Sequence, residues 1–576
     1  MNTLYYGDNL HILREHLADE SVDLIYLDPP FNSKRVYNVY LKSPKGHSSE
    51  AQVTAFEDSW MWGEQAEREY NELLHQPNTD VSEMIASLRR FLKESDVMAY
   101  LVMMSNRLLE LHRVLKPIGS LYLHCDPTAS HYLKIVMDAI FGGSQFRNEI
   151  IWRRTGSHNK IQRYGPIHDV ILFYSKTENY TWTYPKRPYM LGHVEENFVK
   201  DENGFKTNYY GNVLTGSGKR SGESGKPWRG FDPTAKDRHW AIPGALLEDI
   251  DEDLSGLSQH QKLDRLLELG HIKIVEGQAW PMYERYLKSG DGQAISDIWA
   301  YQPYTEGTVF GTDEGVDADI RWLSTKDKER LGYPTQKPLT LLERIIQASS
   351  NSGDVVLDPF CGCGTAVHAA QKLGRQWIGI DITNLAISLI EKRLKDAFLD
   401  STPPLEFKVH GTPKDLDGAR DLAARDKYEF QYWACSLVDA QPYQGKKKGA
   451  DTGIDGLIFF QDDKGAAKKV IVSVKGGENV GVSMLKDLIA TVQREEAQIG
   501  LFVTLANPTE PMKKEAVSAG FYDSQFGAFP KIQILTIEDL LNGTEGPRYP
   551  DMARGGLNFK KAKKEKKDNQ QKLFDA

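Results

Sequence analysis

The chain has 576 residues, 40% hydrophobic, 26% charged and 10% aromatic, a composition that excludes a mainly disordered or collagen-like protein and a length too great for one compact core. Its net charge of −9 does not advertise a nucleic-acid binder, although phosphate binding needs only a local basic surface. Four cysteines, two of them in Cys361-Gly-Cys363, suit neither a disulfide framework nor a four-ligand zinc site and read as small core or loop residues.

Taken from the start, Leu4-Tyr5-Tyr6 leads into Gly7-Asp8, an amphipathic stretch through Leu17 and the apolar run Val22–Leu27. The pattern predicts strand, helix and a buried parallel strand. That strand stops at Asp28-Pro29-Pro30-Phe31, because two prolines forbid further ladder pairing. After a polar excursion over about 32–80, the spacing predicts a helix over 98–115, closed by Lys116-Pro117-Ile118-Gly119. A strand over 120–124 and a helix over 128–141 follow, and this alternation predicts an α/β fold with a mostly parallel sheet between helices.

From about 180 to 320 the rhythm breaks into a stretch rich in Gly, Asn, Lys, Arg, Trp and Tyr, which reads as an inserted module with exposed loops. The α/β pattern resumes with a helix over 339–349, strands over 354–357 and 377–380, a helix after Thr365 and another over 385–399. The expected division is 1–180 and 321–398 for the two parts of one α/β domain, 181–320 for the insert, 399–420 for a linker, 421–545 for a separate α/β unit and 546–576 for a disordered basic tail. No apolar run reaches eighteen residues, and the N-terminus lacks a basic, apolar and cleavage-site succession, so a cytoplasmic location is expected.

The sharpest local signal is Val355-Val-Leu-Asp-Pro-Phe-Cys-Gly-Cys-Gly-Thr365. A strand delivers Asp358 to its carboxyl end, and Phe360-Cys-Gly-Cys-Gly364 turns tightly into a helix at Thr365. Glycines such as Gly362 and Gly364 permit positive φ and let a ligand approach the backbone, at the strand ends where open α/β sheets bind ligands. Twenty-three residues after Asp358 a second strand ends at Asp381, where an acid accepts hydrogen bonds from ribose hydroxyls. The loop is F-x-G-x-G rather than the G-x-G-x-x-G of dinucleotide dehydrogenases.

Asp28-Pro29-Pro30-Phe31 adds a second chemistry. The amine of an aromatic base is a weak nucleophile because its lone pair is delocalised into the ring. Asp28 and the Pro29 carbonyl can accept its two N–H bonds, the prolines hold those acceptors rigidly, and Phe31 offers a stacking face for a base flipped from the duplex. His124 and Asp126 also lie at a strand end, where they either approach the same crevice or satisfy a loop.

Asp-Pro-Pro-Phe near the N-terminus with the Phe360–Gly364 loop far downstream resembles the β-class of amino-DNA methyltransferases, which use S-adenosylmethionine. More narrowly, Gly119–Lys134, Phe146–Arg154 and Gly332-Tyr-Pro-Thr-Gln-Lys-Pro338 resemble the modification subunits of type III restriction systems, over roughly residues 1–398. The resemblance implies that Thr335, Gln336, Lys337 and Pro338 sit beside the methionine end of the cofactor, and Gly7 and Asp8 near its adenine end. It makes 180–320 the target-recognition region on double-stranded DNA, and it points to a homodimer and to a separate restriction subunit as partners. Cytosine C5 methylation needs a cysteine nucleophile, usually after proline, and no Pro-Cys occurs in the chain. Adenine N6 and cytosine N4 both remain open, and the resemblance favours adenine.

In the C-terminal unit, Gly453–Phe460 and Val470–Lys475 would place Asp455 and Lys475 at one end of a sheet. This resembles the Mrr-like branch of the PD-(D/E)xK nucleases, in which paired acids hold Mg²⁺ and a lysine assists the attacking water. Ser473 stands where that pattern carries an acid or glutamine, so Asp455 would be the metal ligand with Glu495 or Glu496 as substitutes. A cleaving enzyme, making the whole chain a bifunctional restriction enzyme, and a DNA-binding remnant or structural module both remain open. No ATP-binding loop is present, so ATP-driven translocation would require a partner. The lysine-rich tail ends in Gln570-Gln-Lys-Leu-Phe574, similar to the peptide that docks on bacterial sliding clamps.

Overall fold

The structure is a computed structural model that describes residues 2–30, 35–42, 48–58, 62–156, 162–201, 204–207, 214–247, 250, 252–283, 286–288, 290–324, 327–331, 333, 335–443, 453–460, 468–550 and 564–565. Two compact units separate: one contains the chain through Tyr184, Ser296–Ala300 and the chain from Asp319 onward, the other Pro185–Ile295 and Tyr301–Ala318.

The first unit is built on a nine-stranded sheet. In chain order its strands are β1 (Thr3–Tyr6), β2 (Val22–Leu27), β3 (Leu115–Cys125), β4 (Phe146–Arg153), β5 (His168–Ser175), β6 (Ile298–Trp299), β7 (Val355–Asp358), β8 (Gln376–Asp381) and β9 (Lys408–His410). They lie side by side as β6-β4-β5-β3-β2-β7-β8-β1-β9. Every pairing from β3 to β9 is parallel, and only β5 runs against its neighbours β3 and β4. All six residues of β2 are buried, as expected of a central strand covered on both faces.

The core beside this sheet is filled by Asp96–Val114 and Ser130–Phe141, with Tyr70, Leu73, Val81 and Ile85 contributed by two further helices, Glu64–Leu74 and Thr79–Leu92. The first of those two, and a hairpin of strands Arg35–Lys42 and Ser48–Asp58, occupy the stretch expected to be a polar excursion. Only Tyr70 and Leu73 of helix Glu64–Leu74 are buried, too thin an apolar stripe to stand out among its charges. A second departure lies at β3, which starts at Leu115 rather than at Ser120. The ladder pairs Val22 with Leu115 and then Leu24 with Ser120, so Lys116–Gly119 bulge out of register and accommodate Pro117 within the strand.

Residues from Leu416 onward form a second sheet of five strands: β10 (Gln441–Pro442), β11 (Gly456–Phe460), β12 (Lys468–Lys475), β13 (Ile499–Thr504) and β14 (Ile532–Thr536), adjacent in that order. β12, β13 and β14 are parallel, and β10 and β11 are antiparallel. Two apolar cores flank it, one built on Phe430, Trp433, Val472 and Leu501, the other on Leu485, Leu488, Ile471 and Phe502. Helix Lys427–Leu437 of this layer packs against helix Asn384–Ala397 of the larger sheet.

Among its described residues the other unit has only short two-stranded pairings and a core of Leu214, Trp228, Trp240, Leu263, Leu266 and Trp280. Among the described residues no helix is long and apolar enough to cross a membrane.

Candidate active site

Four strands that are consecutive neighbours, β1, β8, β7 and β2, end at the same edge of the large sheet. Each delivers an acid there: Asp8 just past β1, Asp381 at the end of β8, Asp358 at the end of β7 and Asp28 just past β2. A cavity of about 520 Å³ opens at this edge, lined by all four together with Pro29, Pro30, Thr335, Gln336, Lys337, Phe360, Gly362 and Thr365. Segments more than half the chain apart therefore share one crevice, because β2 pairs directly with β7 through Val356–Leu24 and Leu357–Ile25.

Four carboxyl groups in one cavity repel one another, and two cations offset them. Lys337 Nζ contacts Asp28 Oδ2, with both side chains largely buried. Arg107, buried in helix Asp96–Val114, donates to Asp8 Oδ2 at 2.8 Å and to Asn9 Oδ1 at 2.6 Å. Asn9 in turn donates to the Pro359 carbonyl at 2.8 Å, joining the first strand to the loop after β7. Asp358 has no cation of its own. Burial pushes its carboxyl up to about 8, only partly countered by the Phe360 N–H that it accepts, and Asp28 and Asp381 add to the rise. Burial raises Asp381 as well, against hydrogen bonds from Thr383 and Gly362. Those bonds fix its carboxylate: Oδ2 accepts from Gly362 N at 2.9 Å, and Oδ1 from Thr383 N and Oγ1, each at 2.9 Å.

The loop after β7 is held from behind. Gly362 and Gly364 have φ of +52° and +72°, values that disfavour any side chain. A Cβ on Gly364 would come within 2.7 Å of Ile390 Cγ1, and one on Gly362 within 3.2 Å of the Tyr333 ring. The two cysteines are buried and free, with Cys361 Sγ donating to the Asp358 carbonyl at 3.2 Å. Arg393, buried in helix Asn384–Ala397, donates through Nη1 to the Cys363 carbonyl at 3.1 Å and to Thr365 Oγ1 at 3.0 Å. Its Nε donates to His368 Nδ1 at 2.9 Å, so the imidazole carries its proton on Nε2, which donates to Glu565 at 3.1 Å.

Most residues singled out in the sequence meet here. Phe31 lies outside the described residues, as does Gln570–Phe574. Pro338 does not line the cavity; it is the N-cap residue of helix Leu339–Ser349. Gln336 lines the cavity, but its amide staples its own loop, accepting from Leu331 N at 2.7 Å and donating to the Glu329 carbonyl at 2.9 Å. His124 is wholly buried and bridges Tyr26 Oη at 2.9 Å and Asp169 Oδ2 at 3.3 Å. Asp126 caps the turn before helix Ser130–Phe141, accepting from Thr128 N and Ala129 N.

Sequence reasoning singled out His124 but missed Arg107, Arg393 and the partners that join His124 into the run Tyr26–His124–Asp169–Arg154, in which Arg154 Nε lies 3.1 Å from Asp169 Oδ1. Tyr26, Arg154 and Asp169 line the cavity beside Asp28. The one available signal was a charged residue at a helix position surrounded by apolar ones: Met103, Met104 and Leu108 around Arg107, and Leu389, Ile390 and Leu394 around Arg393.

In the C-terminal sheet, Asp455 enters β11 opposite the end of β12, and its Oδ2 accepts from Val474 N at 2.7 Å. This places it one residue from Lys475, while Ser473 is buried in the strand. The expectation that Glu495 or Glu496 completes a metal site is corrected. Glu495 closes helix Val482–Arg494 at the far end of β12, where Gln498 N donates to the Lys469 carbonyl at 3.0 Å. The crossover helix runs back along the sheet, so its last turn returns to the start of the strand it left. Among the described residues no group of three His, Cys, Asp or Glu gathers around a metal position.

A mostly parallel sheet whose strand ends bring a glycine loop, two strand-end acids and an Asp-Pro-Pro corner into one cavity defines a nucleoside-cofactor transferase. The model of the DNA methylase family matches residues 22–392, and the chain belongs to that family. A restriction endonuclease model matches residues 422–541.

The chain is 27% identical over 394 residues to the type II methyltransferase M.EcaI of Enterobacter cloacae, covering 68% of this chain and 69% of that protein. It is 25% identical to the Mod subunit of the type III restriction-modification enzyme StyLTI of Salmonella typhimurium, over 65% of this chain and 50% of that one. A shorter match, 53% identical over 109 residues, covers 19% of this chain and 36% of the DNA adenine methyltransferase YhdJ of Escherichia coli. Among solved structures, the M1.HpyAVI–SAM complex aligns over 68% of this chain and all of its own at 14% identity, with a TM-score of 0.27.

Proposed function

We propose that the chain methylates N6 of an adenine flipped out of double-stranded DNA, with S-adenosylmethionine as methyl donor, as the modification enzyme of a restriction-modification system in the cytoplasm. The observation that carries this reading is the single cavity shared by Asp28-Pro29-Pro30 and the Gly362–Gly364 loop.

The cavity's residues fit the cofactor. Gly362, left-handed and at the cavity wall, leaves backbone that a ligand can approach closely, while Gly364 turns the loop behind it without lining the cavity; Asp381 and Asp8 present acceptors for hydroxyl and amino groups. Gly362, Phe360 and Asp381 would hold the nucleoside, with Thr335 and Lys337 toward its amino-acid end. When bound, the cofactor supplies an electrophilic methyl group on a sulfonium.

The chain's own residues prepare the amine. Asp28 Oδ2 is occupied by Lys337, which leaves Oδ1 for one N–H of the base. The Pro29 carbonyl, at the cavity wall, would accept the other. Accepting both draws the lone pair out of the ring and aims it across the cavity, and Asp28 would take the proton that the amine sheds. The prolines fix these acceptors before substrate arrives, so little reorganisation remains. Incubating the purified chain with labelled S-adenosylmethionine and unmethylated DNA, then digesting to nucleosides, tests the reading. Label in N6-methyldeoxyadenosine supports it, label in N4-methyldeoxycytidine replaces adenine by cytosine, and unlabelled DNA defeats it.

The match to a restriction endonuclease model over 422–541 favours DNA as the partner of the C-terminal module too. Its described residues do not fit Mg²⁺: the one acid beside Lys475 is turned onto the backbone of Val474, and the position two before the lysine is a buried serine. No cleavage step is drawn through them. The relationship to a Mod subunit supports a separate restriction subunit as a further partner.

A further inference from the structure

The C-terminal module reaches the wall of the cofactor cavity through one carboxylate. Glu429 lies in the first turn of helix Lys427–Leu437, whose start is fixed by Asp426 accepting from Tyr428 N at 2.9 Å and Glu429 N at 3.0 Å. The Glu429 carboxylate accepts from Tyr6 Oη at 2.6 Å and meets the field of the Asn384 backbone N–H, which favours its charged form. Both partners adjoin the cofactor's acids. Tyr6 pairs with Asp381 in the β1–β8 ladder, and the next residues, Gly7 and Asp8, line the cavity. Asn384 opens the helix that follows Asp381-Ile382-Thr383, all three of which line the cavity as well.

The chemistry of the contact explains why an acid stands there. The first N–H groups of a helix have no partner within it, and its N-terminus favours an anion. Thr383 satisfies Ala386 N from within the same helix, at 3.3 Å. The Asn384 N–H instead faces the Glu429 carboxylate of the other module and favours its charged form. The phenol of Tyr6 is buried, so it needs an acceptor as well. One carboxylate thus ties together the two segments that set the position of Asp381.

We propose that Glu429 is a positioning residue for the cofactor, contributed by the C-terminal module, and that cofactor binding and docking of this module are thermodynamically linked. The inference rests on the S-adenosylmethionine reading of the cavity. Linkage is reciprocal: if the module's carboxylate favours the binding-competent arrangement of Asp381, bound cofactor must favour the docked module by the same factor.

The test is calorimetric titration of the full chain with S-adenosylmethionine, for the wild type, Glu429→Ala, Glu429→Gln and Tyr6→Phe. The alanine variant should bind about fivefold more weakly or worse, the lower end of measured site couplings. Glutamine, which keeps a carbonyl acceptor, should recover most of the loss. Tyr6→Phe added to Glu429→Ala should weaken binding no further, and saturating cofactor should restore methyl transfer. Hydrogen exchange at 427–437 should slow when cofactor is bound. Unchanged affinity in Glu429→Ala and Tyr6→Phe, with only a lower melting temperature, would overturn the linkage and leave a structural contact. A wild-type chain that binds no cofactor would instead overturn the functional reading on which it stands.

Discussion

Replacing Asp28 by Asn removes a charge and leaves the side chain's shape, and two effects of different kind should separate. The first is on stability. Lys337 is only 11% exposed and loses the carboxylate it contacts. Orphaning a buried charge costs about 3–5 kcal/mol when nothing compensates. Here Asp169 exerts a favourable field on the lysine and the Thr335 carbonyl lies 3.5 Å away, so a loss of about 1–3 kcal/mol is expected. The second effect is on rate. Asparagine still offers one oxygen to the amine but no charge to gather the departing proton, and losing one preorganised polar partner of a reacting group lowers kcat by about 10²–10³. Lys337, proposed to lie toward the cofactor's amino-acid end, is kept in this variant, so the cofactor's Kd should change far less than kcat. Single-turnover transfer from labelled S-adenosylmethionine gives the rate, and calorimetry gives the affinity. Adding Lys337→Gln to Asp28→Asn should return the stability and leave kcat low. A rate for Asp28→Asn within about tenfold of wild type, or a Kd that rises as far as the rate falls, would refute the assignment of Asp28 to the amine.

Gly364→Ala places a Cβ 2.7 Å from Ile390 at φ +72°, and a loss of about 2–4 kcal/mol together with a more than tenfold weaker cofactor complex is expected by melting and titration. Asp358 has a folded-state pKa of about 8, above its ordinary 3.8. Its contribution is therefore fully present below the ordinary value and is lost as pH rises through about 8, so cofactor-free wild type should melt lower at pH 9 than at pH 6, and Asp358→Asn should flatten that slope. Burial holds His368 down at about 4, from an ordinary 6.5. That neutral imidazole contributes stability above pH 6.5 that is lost as pH falls through about 4, and His368→Gln should remove part of the acid limb in urea midpoints measured across this range. Asp455→Ala deprives Val474 N of its acceptor. The C-terminal module should lose about 1–2 kcal/mol, equally with and without Mg²⁺, as measured by its urea midpoint.

The parts of the site legible in the sequence are those whose chemistry is written in consecutive residues. Asp28-Pro29-Pro30 and Asp358–Gly364 each mark where a buried strand stops, and each sits where it was expected. The residues that hold those motifs in place were not legible. Arg107 grips Asp8 from a helix about a hundred positions later in the chain, and Arg393 bolts the glycine loop from the next helix but one. A lone arginine in an apolar helix has no local pattern to announce its partner. Helix Glu64–Leu74 was lost for the opposite reason, since its buried stripe is two residues wide. Glu495 shows a third kind of error. It is close to Lys475 in sequence, but a crossover helix between parallel strands carries its end to the opposite edge of the sheet, so proximity along the chain meant separation in space.

That same geometry explains how the Asp28-Pro29-Pro30 and Phe360–Gly364 motifs come to share one cavity although an intervening module separates them along the chain. In a parallel sheet every strand presents its carboxyl end at one edge, so any two strands made neighbours by topology place their terminal residues in one crevice, however distant in the chain. The arrangement depends on register rather than on the linker. Leu357 opposite Ile25 sets Asp358 just short of Asp28 along the shared edge. A slip of one residue would turn β2 over, direct Leu27 to the face where Tyr26 now points, and move Asp28 by about 3.3 Å relative to Asp358. Full burial of Leu24, Ile25 and Leu27 resists that slip less than full burial of an alternating strand would, because both faces are apolar. The polar members fix it instead: Asp23 is held by Lys116 at 2.8 Å and accepts from Val355 N at 2.9 Å. Asp23, at the far end of β2 from Asp28, thereby helps set the spacing between Asp28 and the Phe360–Gly364 loop.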